Sequence, residues 1–264
     1  MGTAILSGLL KAGFDAANVS VSTKSAASAA KLAESLGVNA YSAEQSIDAN
    51  SQAAAGADVV LVAVKPAYVV SVLQEVSASL NANALVVSVA AGITTASMQA
   101  ALPESVAVIR SMPNTPAIVG RAVTGLAKGT RATAEQLVQA SSLFETVGKV
   151  VVLAEEQIDA LGTVSGSGPA YVFYLIEELT KAAQGMGFDA ETAHTLVSET
   201  FLGASELLTA IGKTPQELRK QVTSPNGTTM RAIAVLEEAN LAALFENATN
   251  AALARSKEIA AGLG

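Results

Sequence analysis

The chain has 264 residues, half of them hydrophobic and 15% charged, enough to bury the core of one large domain or two modest ones. A net charge of -7 argues against a nucleic-acid binder, which needs a basic face for phosphate contacts. There is no cysteine, which excludes disulfides and thiolate metal sites, and a single histidine leaves little for an imidazole site, so no metal is expected.

Residues 3–11 already read as a helix, with no strand before them. They are not a secretory signal, because Lys11 follows the apolar stretch instead of preceding it. Downstream, residues 19–22, 59–64, 85–89, 106–109, 122–127 and 150–153 read as strands. The continuous apolar run after Asp58 is what a parallel strand covered on both faces requires. Helical patterns over residues 26–36, 66–79, 95–101 and 134–147 alternate with these strands, which predicts a doubly wound α/β domain. Residues 84–102 carry no charge, but Ser88, Gly92, Thr94 and Gln99 interrupt them, so they read as strand, loop and helix, not as a membrane span. A cytoplasmic location is expected.

From Glu155 onward the pattern is helical almost throughout, over residues 168–186, 190–210, 215–221, 227–239 and 240–260. The predicted architecture is an N-terminal Rossmann-like domain, residues 1–153, and an all-helical C-terminal domain, residues 154–264. The Rossmann-like domain starts abnormally. Gly2 suits the third glycine of a G-x-G-x-x-G turn, where close helix–strand packing excludes a side chain. The apolar strand and the first two glycines that should precede it are not in the sequence. The expectation is a sheet without its central strand, an incomplete pyrophosphate turn, and an upstream segment that was lost.

Three strand ends carry candidate cofactor residues. Ser22-Thr23-Lys24-Ser25 has hydroxyls and a cation but no acid, which favours the 2′-phosphate of NADPH over the free ribose hydroxyl of NADH. The plainer role of Ser25 is to cap the next helix. Ala63-Val64-Lys65-Pro66 and Ser88-Val89-Ala90-Ala91-Gly92 lie at the carboxyl ends of later strands, the edge that faces the ligand crevice. A further polar segment, residues 110–116, reads as a two-proline loop at another strand end.

On the substrate side, Thr223-Ser-Pro-Asn-Gly-Thr-Thr229 runs from a loop into a helix. Backbone N–H groups at a helix start, flanked by hydroxyls, make an anion site. An N-cap needs one hydroxyl and this segment offers four. Ser165-Gly-Ser-Gly-Pro-Ala-Tyr171 looks superficially like a phosphate loop but has no lysine at the required place, so it reads as the close-packed start of a helix.

Five segments in order, Ala63-Val-Lys-Pro66, Ser88-Val-Ala-Ala-Gly-Ile-Thr94, Val108-Ile-Arg-Ser-Met-Pro-Asn-Thr-Pro116, Ser165-Gly-Ser-Gly-Pro-Ala-Tyr171 and Val222-Thr-Ser-Pro-Asn-Gly-Thr-Thr229, resemble the pyrroline-5-carboxylate reductase family. The resemblance covers nearly the whole chain. It departs at Asn226, where the family usually has glycine, and at the missing first strand. It implies NAD(P)H-dependent reduction of (S)-1-pyrroline-5-carboxylate to L-proline, the last step of proline biosynthesis. It places Ser224 and the backbone N–H groups of Gly227 and Thr228 on the substrate carboxylate, and the Thr229 hydroxyl at the ring nitrogen. It places Gly2, Thr23, Lys24, Asn50, Ala63, Val64, Lys65, Pro66, Val89, Ala90 and Ala91 along NADPH, with NADH possible. It also implies a homodimer through the helical domain and assembly of such dimers into a decamer. Two alternatives stay open on the residues alone. One is another two-domain imine or 2-hydroxyacid reductase, for which Lys65 would be the acid–base candidate. The other is a non-catalytic nucleotide-binding protein derived from a reductase. His194 reads as structural or surface.

Overall fold

The computed structural model describes residues 1–260, and these divide into two compact units. The first comprises residues 1–167 together with the chain from Ala252 onward, and the second comprises residues 168–251. The sheet ends near the residue-153 boundary, but residues 154–167 still belong to the first unit.

The chain opens with helix α1 (Gly2–Lys11). Strand β1 (Ser20–Thr23), helix α2 (Ala26–Leu36), strand β2 (Asn39–Ser42) and helix α3 (Ala49–Ala54) follow. Next come β3 (Val59–Val62), α4 (Val69–Val76), β4 (Leu85–Ser88), α5 (Thr95–Ala100) and β5 (Ala107–Met112). The unit continues with β6 (Ala122–Lys128), α6 (Ala134–Glu145), β7 (Gly148–Val152) and the short helix α7 (Ile158–Leu161). Pro66 opens a 3-10 turn that leads into α4, as its fixed φ and missing N–H suit it to do.

Strands β3, β4 and β5 are parallel neighbours, β6 is antiparallel to β5, and β7 is parallel to β6. Strands β1 and β2 form a separate parallel pair. Among the described residues no strand joins β1 to β3, and helix α1 starts at Gly2. The expected interruption of the sheet is therefore present.

Successive residues of the central strands feed two cores. Leu85, Val87, Ala107 and Ile109 pack with Ile5, Leu126 and Phe144. Val86 and Val108 point the other way and pack with Val62, Val69, Leu73 and Met98. This two-sided burial is why these strands read as unbroken apolar runs.

Two elements escape the sequence pattern, β2 and α3. Asn39-Ala-Tyr-Ser has one large apolar side chain, and α3 has none. The first three residues of the 110–116 segment belong to β5 and are not loop.

The second unit contains α8 (Gly168–Gly185), α9 (Ala190–Ile211), α10 (Pro215–Gln221), α11 (Thr228–Glu238) and most of α12 (Leu241–Ala260). Gly212, left-handed at φ 68°, ends α9. Thr214 and Glu217 form a capping box that starts α10. None of the described helices is long and apolar enough to cross a membrane.

Candidate active site

The residues expected on the cofactor side sit where their strands end. A Cβ on Gly2 would lie 3.1 Å from the Ala63 Cβ, so the missing side chain lets α1 start close to the end of β3. The N-terminus of α1 has no side-chain cap and no acidic residue in its first turn, which leaves its dipole open to an anion. Ala63, Val64 and Lys65 are exposed, and Pro66 is half-buried. At the end of β4, Val89 is half-buried, Ala90 buried and Ala91 exposed. The turn there is held by Ala90 N–H donating to Ser88 Oγ (3.2 Å) and by Ser111 Oγ donating to the Ser88 carbonyl (2.8 Å). Because β3 and β4 are parallel neighbours, these two segments lie side by side on one sheet edge.

After β1, Thr23 Oγ1 donates to the Ser25 carbonyl (2.9 Å) and Lys24 is exposed. Ser25 caps α2 by accepting from Ser28 N–H, as its position predicts. Asn50 is tied at both ends of its amide: it accepts from Ser22 Oγ (2.7 Å) and donates to Glu75 Oε2 (3.0 Å). These bonds fix the amide's orientation beside the end of β1.

The segment expected on the substrate side lies between α10 and α11. Thr223 Oγ1 donates back to the Arg219 carbonyl (2.7 Å), so this hydroxyl closes α10. Asn226 has φ 59°, a left-handed conformation that asparagine tolerates better than most residues. The turn is closed by Gly227 N–H donating to the Ser224 carbonyl (3.1 Å). The Gly227 N–H, expected to face a carboxylate, is therefore engaged inside the loop. A Cβ on Gly227 would lie 2.5 Å from Ser224 Oγ, so glycine keeps that hydroxyl accessible. Gly227 is the N-cap of α11 and no side chain caps this helix. The hydroxyls of Ser224, Thr228 and Thr229 make no hydrogen bond among the described residues, and all three side chains are exposed. Hydroxyls that are not spent on capping, at a bare helix start, suit an anionic ligand.

The structure adds a cluster that motif reading missed. Arg110 on β5 is 3% exposed; its Nη2 meets Asp159 Oδ1 at 2.5 Å and its Nη1 lies 3.7 Å from Glu155 Oε1. Glu155 also accepts from Thr95 N–H (2.7 Å) and Thr95 Oγ1 (2.5 Å) at the start of α5. Ser256 on α12 donates to Asp159 (3.4 Å). An arginine amid Val108 and Ile109 was the available signal, because a cation inside an apolar strand needs buried partners. Next to this cluster lies a cleft of about 300 Å³ lined by Ala91, Met112, Asp159, Thr163, Ser256 and Ile259, among others.

Two of the five motifs act on each other. Asn114 accepts from Val123 N–H (2.9 Å) and donates to the Ser165 carbonyl (2.9 Å), tying the two-proline loop to the glycine-rich segment. Residues Gly162–Gly166 form a π-helical turn in which Ser167 N–H reaches the Gly162 carbonyl (2.9 Å). Side chains on Gly162 or Gly166 would press on the Met112 methyl at 3.3 and 3.1 Å. Of the two glycines in the Ser165–Tyr171 segment, Gly166 serves close packing as expected, whereas a Cβ on Gly168 would meet nothing within 4 Å. His194 lies exposed on α9.

An α/β unit with an anion-ready helix start and small residues along its strand ends, joined to a helical unit, defines a two-domain oxidoreductase of the nicotinamide-dinucleotide class. Comparison with known proteins narrows the class. Residues 155–259 match the family model described as pyrroline-5-carboxylate reductase dimerisation, and residues 1–92 match NADP oxidoreductase coenzyme F420-dependent. A pyrroline-5-carboxylate reductase of Corynebacterium melassecola is 40% identical over 98% of this chain and 95% of its own length. One from Pseudomonas aeruginosa is also 40% identical, over 100% of this chain and 95% of its own. Among solved structures, a pyrroline-5-carboxylate reductase from Coxiella burnetii superposes with TM-score 0.91 at 37% identity, covering 97% of this chain and 94% of that one. The Plasmodium falciparum pyrroline carboxylate reductase, solved with NADP bound, gives TM-score 0.84 at 25% identity, over 98% and 94% of the two chains. This chain belongs to the pyrroline-5-carboxylate reductase family.

Proposed function

We propose that this chain reduces (S)-1-pyrroline-5-carboxylate to L-proline with NADPH, with NADH as a second donor. The observation that carries the reading is the loop before α11. It holds three hydroxyls with no hydrogen-bond partner among the described residues at an uncapped helix start, inside one of the segments that resemble the family. The relatives' names give the reaction, and the NADP in the Plasmodium structure supports the cofactor.

The chain's own contribution is positioning and electrostatics. Ser224 Oγ and the N–H groups of Thr228 and Thr229 at the start of α11 would hold the substrate carboxylate. Gly227 would keep the approach open. The Thr229 hydroxyl would orient the ring nitrogen. Gly2 and the segments Ala63 to Pro66 and Val89 to Ala91 would follow the dinucleotide, with Thr23, Lys24 and Asn50 at its adenosine ribose. When bound, a reduced nicotinamide supplies the hydride that the imine carbon accepts. A protonated imine accepts hydride readily, so a fixed geometry is the main requirement and no strong protein acid is needed.

The helical unit supports a homodimer, because α8 exposes Phe173, Tyr174 and Leu179 and the matched family model is a dimerisation domain. Assembly of these dimers into a decamer and a cytoplasmic location complete the reading.

The test is loss of nicotinamide absorbance on mixing the chain with NADPH and pyrroline-5-carboxylate. No turnover with either NADPH or NADH would overturn the assignment. Thr229→Ala should lower kcat/KM by roughly tenfold to a hundredfold while the Kd for NADPH stays put. Unchanged kinetics would remove Thr229 from the mechanism.

A further inference from the structure

The end of β1 has no acidic residue, and by that criterion the sequence favours NADPH. The fold brings an acid there from elsewhere. Glu44 follows β2, and its Oε2 accepts a hydrogen bond from Ala26 N–H at 2.9 Å. Ala26 is the first residue of α2. The helix's own first turn contains no acid, so Glu44 provides the negative charge at its N-terminus.

The placement is held by backbone as well. Ala43 N–H donates to the Thr23 carbonyl (2.9 Å), and Glu44 N–H donates to the Lys24 carbonyl (3.2 Å) and to Ser42 Oγ (3.2 Å). The turn after β2 is thus laid along the turn after β1, with the Glu44 backbone against Lys24 and its carboxylate at the first residue of α2. Asn50, oriented by Ser22 and Glu75, bounds the same strand end.

We propose that Glu44 is a specificity residue that sets the balance between NADPH and NADH. The inference rests on the reading that the β1–α2 turn receives the adenosine ribose. A 2′-phosphate entering this turn seeks the N–H groups at the start of α2, where a carboxylate already lies. It must displace that carboxylate or bear its repulsion, with Lys24 as the opposing attraction. A free 2′-hydroxyl meets no such conflict and can donate to the carboxylate, as it does to the acidic residue of NAD-binding folds. Glu44 therefore lowers the preference for NADPH that Lys24 and the neighbouring hydroxyls would otherwise give.

The experiment measures the Kd of NADPH and of NADH for the full chain, by titration of nicotinamide fluorescence without substrate. Glu44→Gln keeps an oxygen acceptor for Ala26 N–H and removes the charge. It should raise the preference for NADPH over NADH about tenfold, the size of one like-charge contact near a protein surface. Glu44→Ala should raise it similarly even if it lowers the melting temperature, which separates specificity from capping. Lys24→Ala tests the underlying reading and should move the preference the opposite way. If Lys24→Ala shifts the ratio and both Glu44 variants leave it unchanged, the role of Glu44 is overturned while the ribose placement stands. If all three variants leave it unchanged, or the chain binds neither cofactor, the placement and the inference fall together.

Discussion

The two units of this chain bury their apolar residues very differently. In the α/β unit, β4 is buried along its whole length and two cores flank the sheet. In the helical unit, α8, α11 and α12 have no buried residue, and α9 buries only Ala193 and Val197. Yet these helices carry Phe173, Leu175, Leu202, Leu207, Val235, Leu244 and Phe245 on their surfaces. One unit satisfies its hydrophobic demand within one chain and the other does not. An apolar surface of that extent on a lone subunit would be an aggregation liability, so the helices are built to be covered by another copy.

The strongest way to break this contrast is to charge the exposed face. Phe173→Glu combined with Leu175→Glu should reduce the particle to a single chain, since each charge buried at an interface costs several kcal/mol. Sedimentation velocity reads the mass, and an unchanged oligomer would mean that α8 is not the contact. The α/β unit should keep its strand signal in circular dichroism throughout.

A smaller effect sharpens the other side of the contrast. Asp159→Ala removes the near partner of Arg110 and leaves a guanidinium that is only 3% exposed. Urea unfolding should show a loss of about 3 kcal/mol. Adding Arg110→Met should restore much of it, because the stranded charge goes too. Additive losses in the double variant would show that the two residues do not act as a pair.

The smallest effect concerns the cap at the start of α10. The hydroxyl and the backbone N–H of Thr214 hold the Glu217 carboxyl below its usual range. A depressed carboxylate contributes stability that is present above its unfolded pKa, near 4.5, and is lost as pH falls through the folded value. Acidification below that point should therefore lower the melting temperature slightly more in the native chain than in Glu217→Gln. Parallel curves would assign the cap no ionic part.

Legibility in the sequence followed the same division. Strands covered on both faces announce themselves as apolar runs: Leu85–Ser88 is buried throughout, and Val59–Val62, though only Val62 is fully buried, packs against both cores. Strand β2 lies on an edge with little to bury, so Asn39-Ala-Tyr-Ser gives no periodic signal. The turn before α11 was readable because its geometry is local. Ser224, Asn226 and Gly227 form their turn from adjacent residues, and the surplus of hydroxyls over caps was visible in one stretch. Local reading still missed that the Gly227 N–H is consumed by the Ser224 carbonyl. It missed two longer-range arrangements for a different reason. Arg110 finds Asp159 and Glu44 finds Ala26 only after strands have paired. No spacing rule connects residues that meet through tertiary structure.

The interrupted sheet has a consequence outside catalysis. Among the described residues, β1 and β3 each pair along one side only, which leaves the row of amides and carbonyls on the other side without a strand partner there. Such rows are templates for any extended backbone that reaches them. Hydrogen exchange along Val59–Val62 should therefore be faster than along Leu85–Ser88, which is paired on both sides.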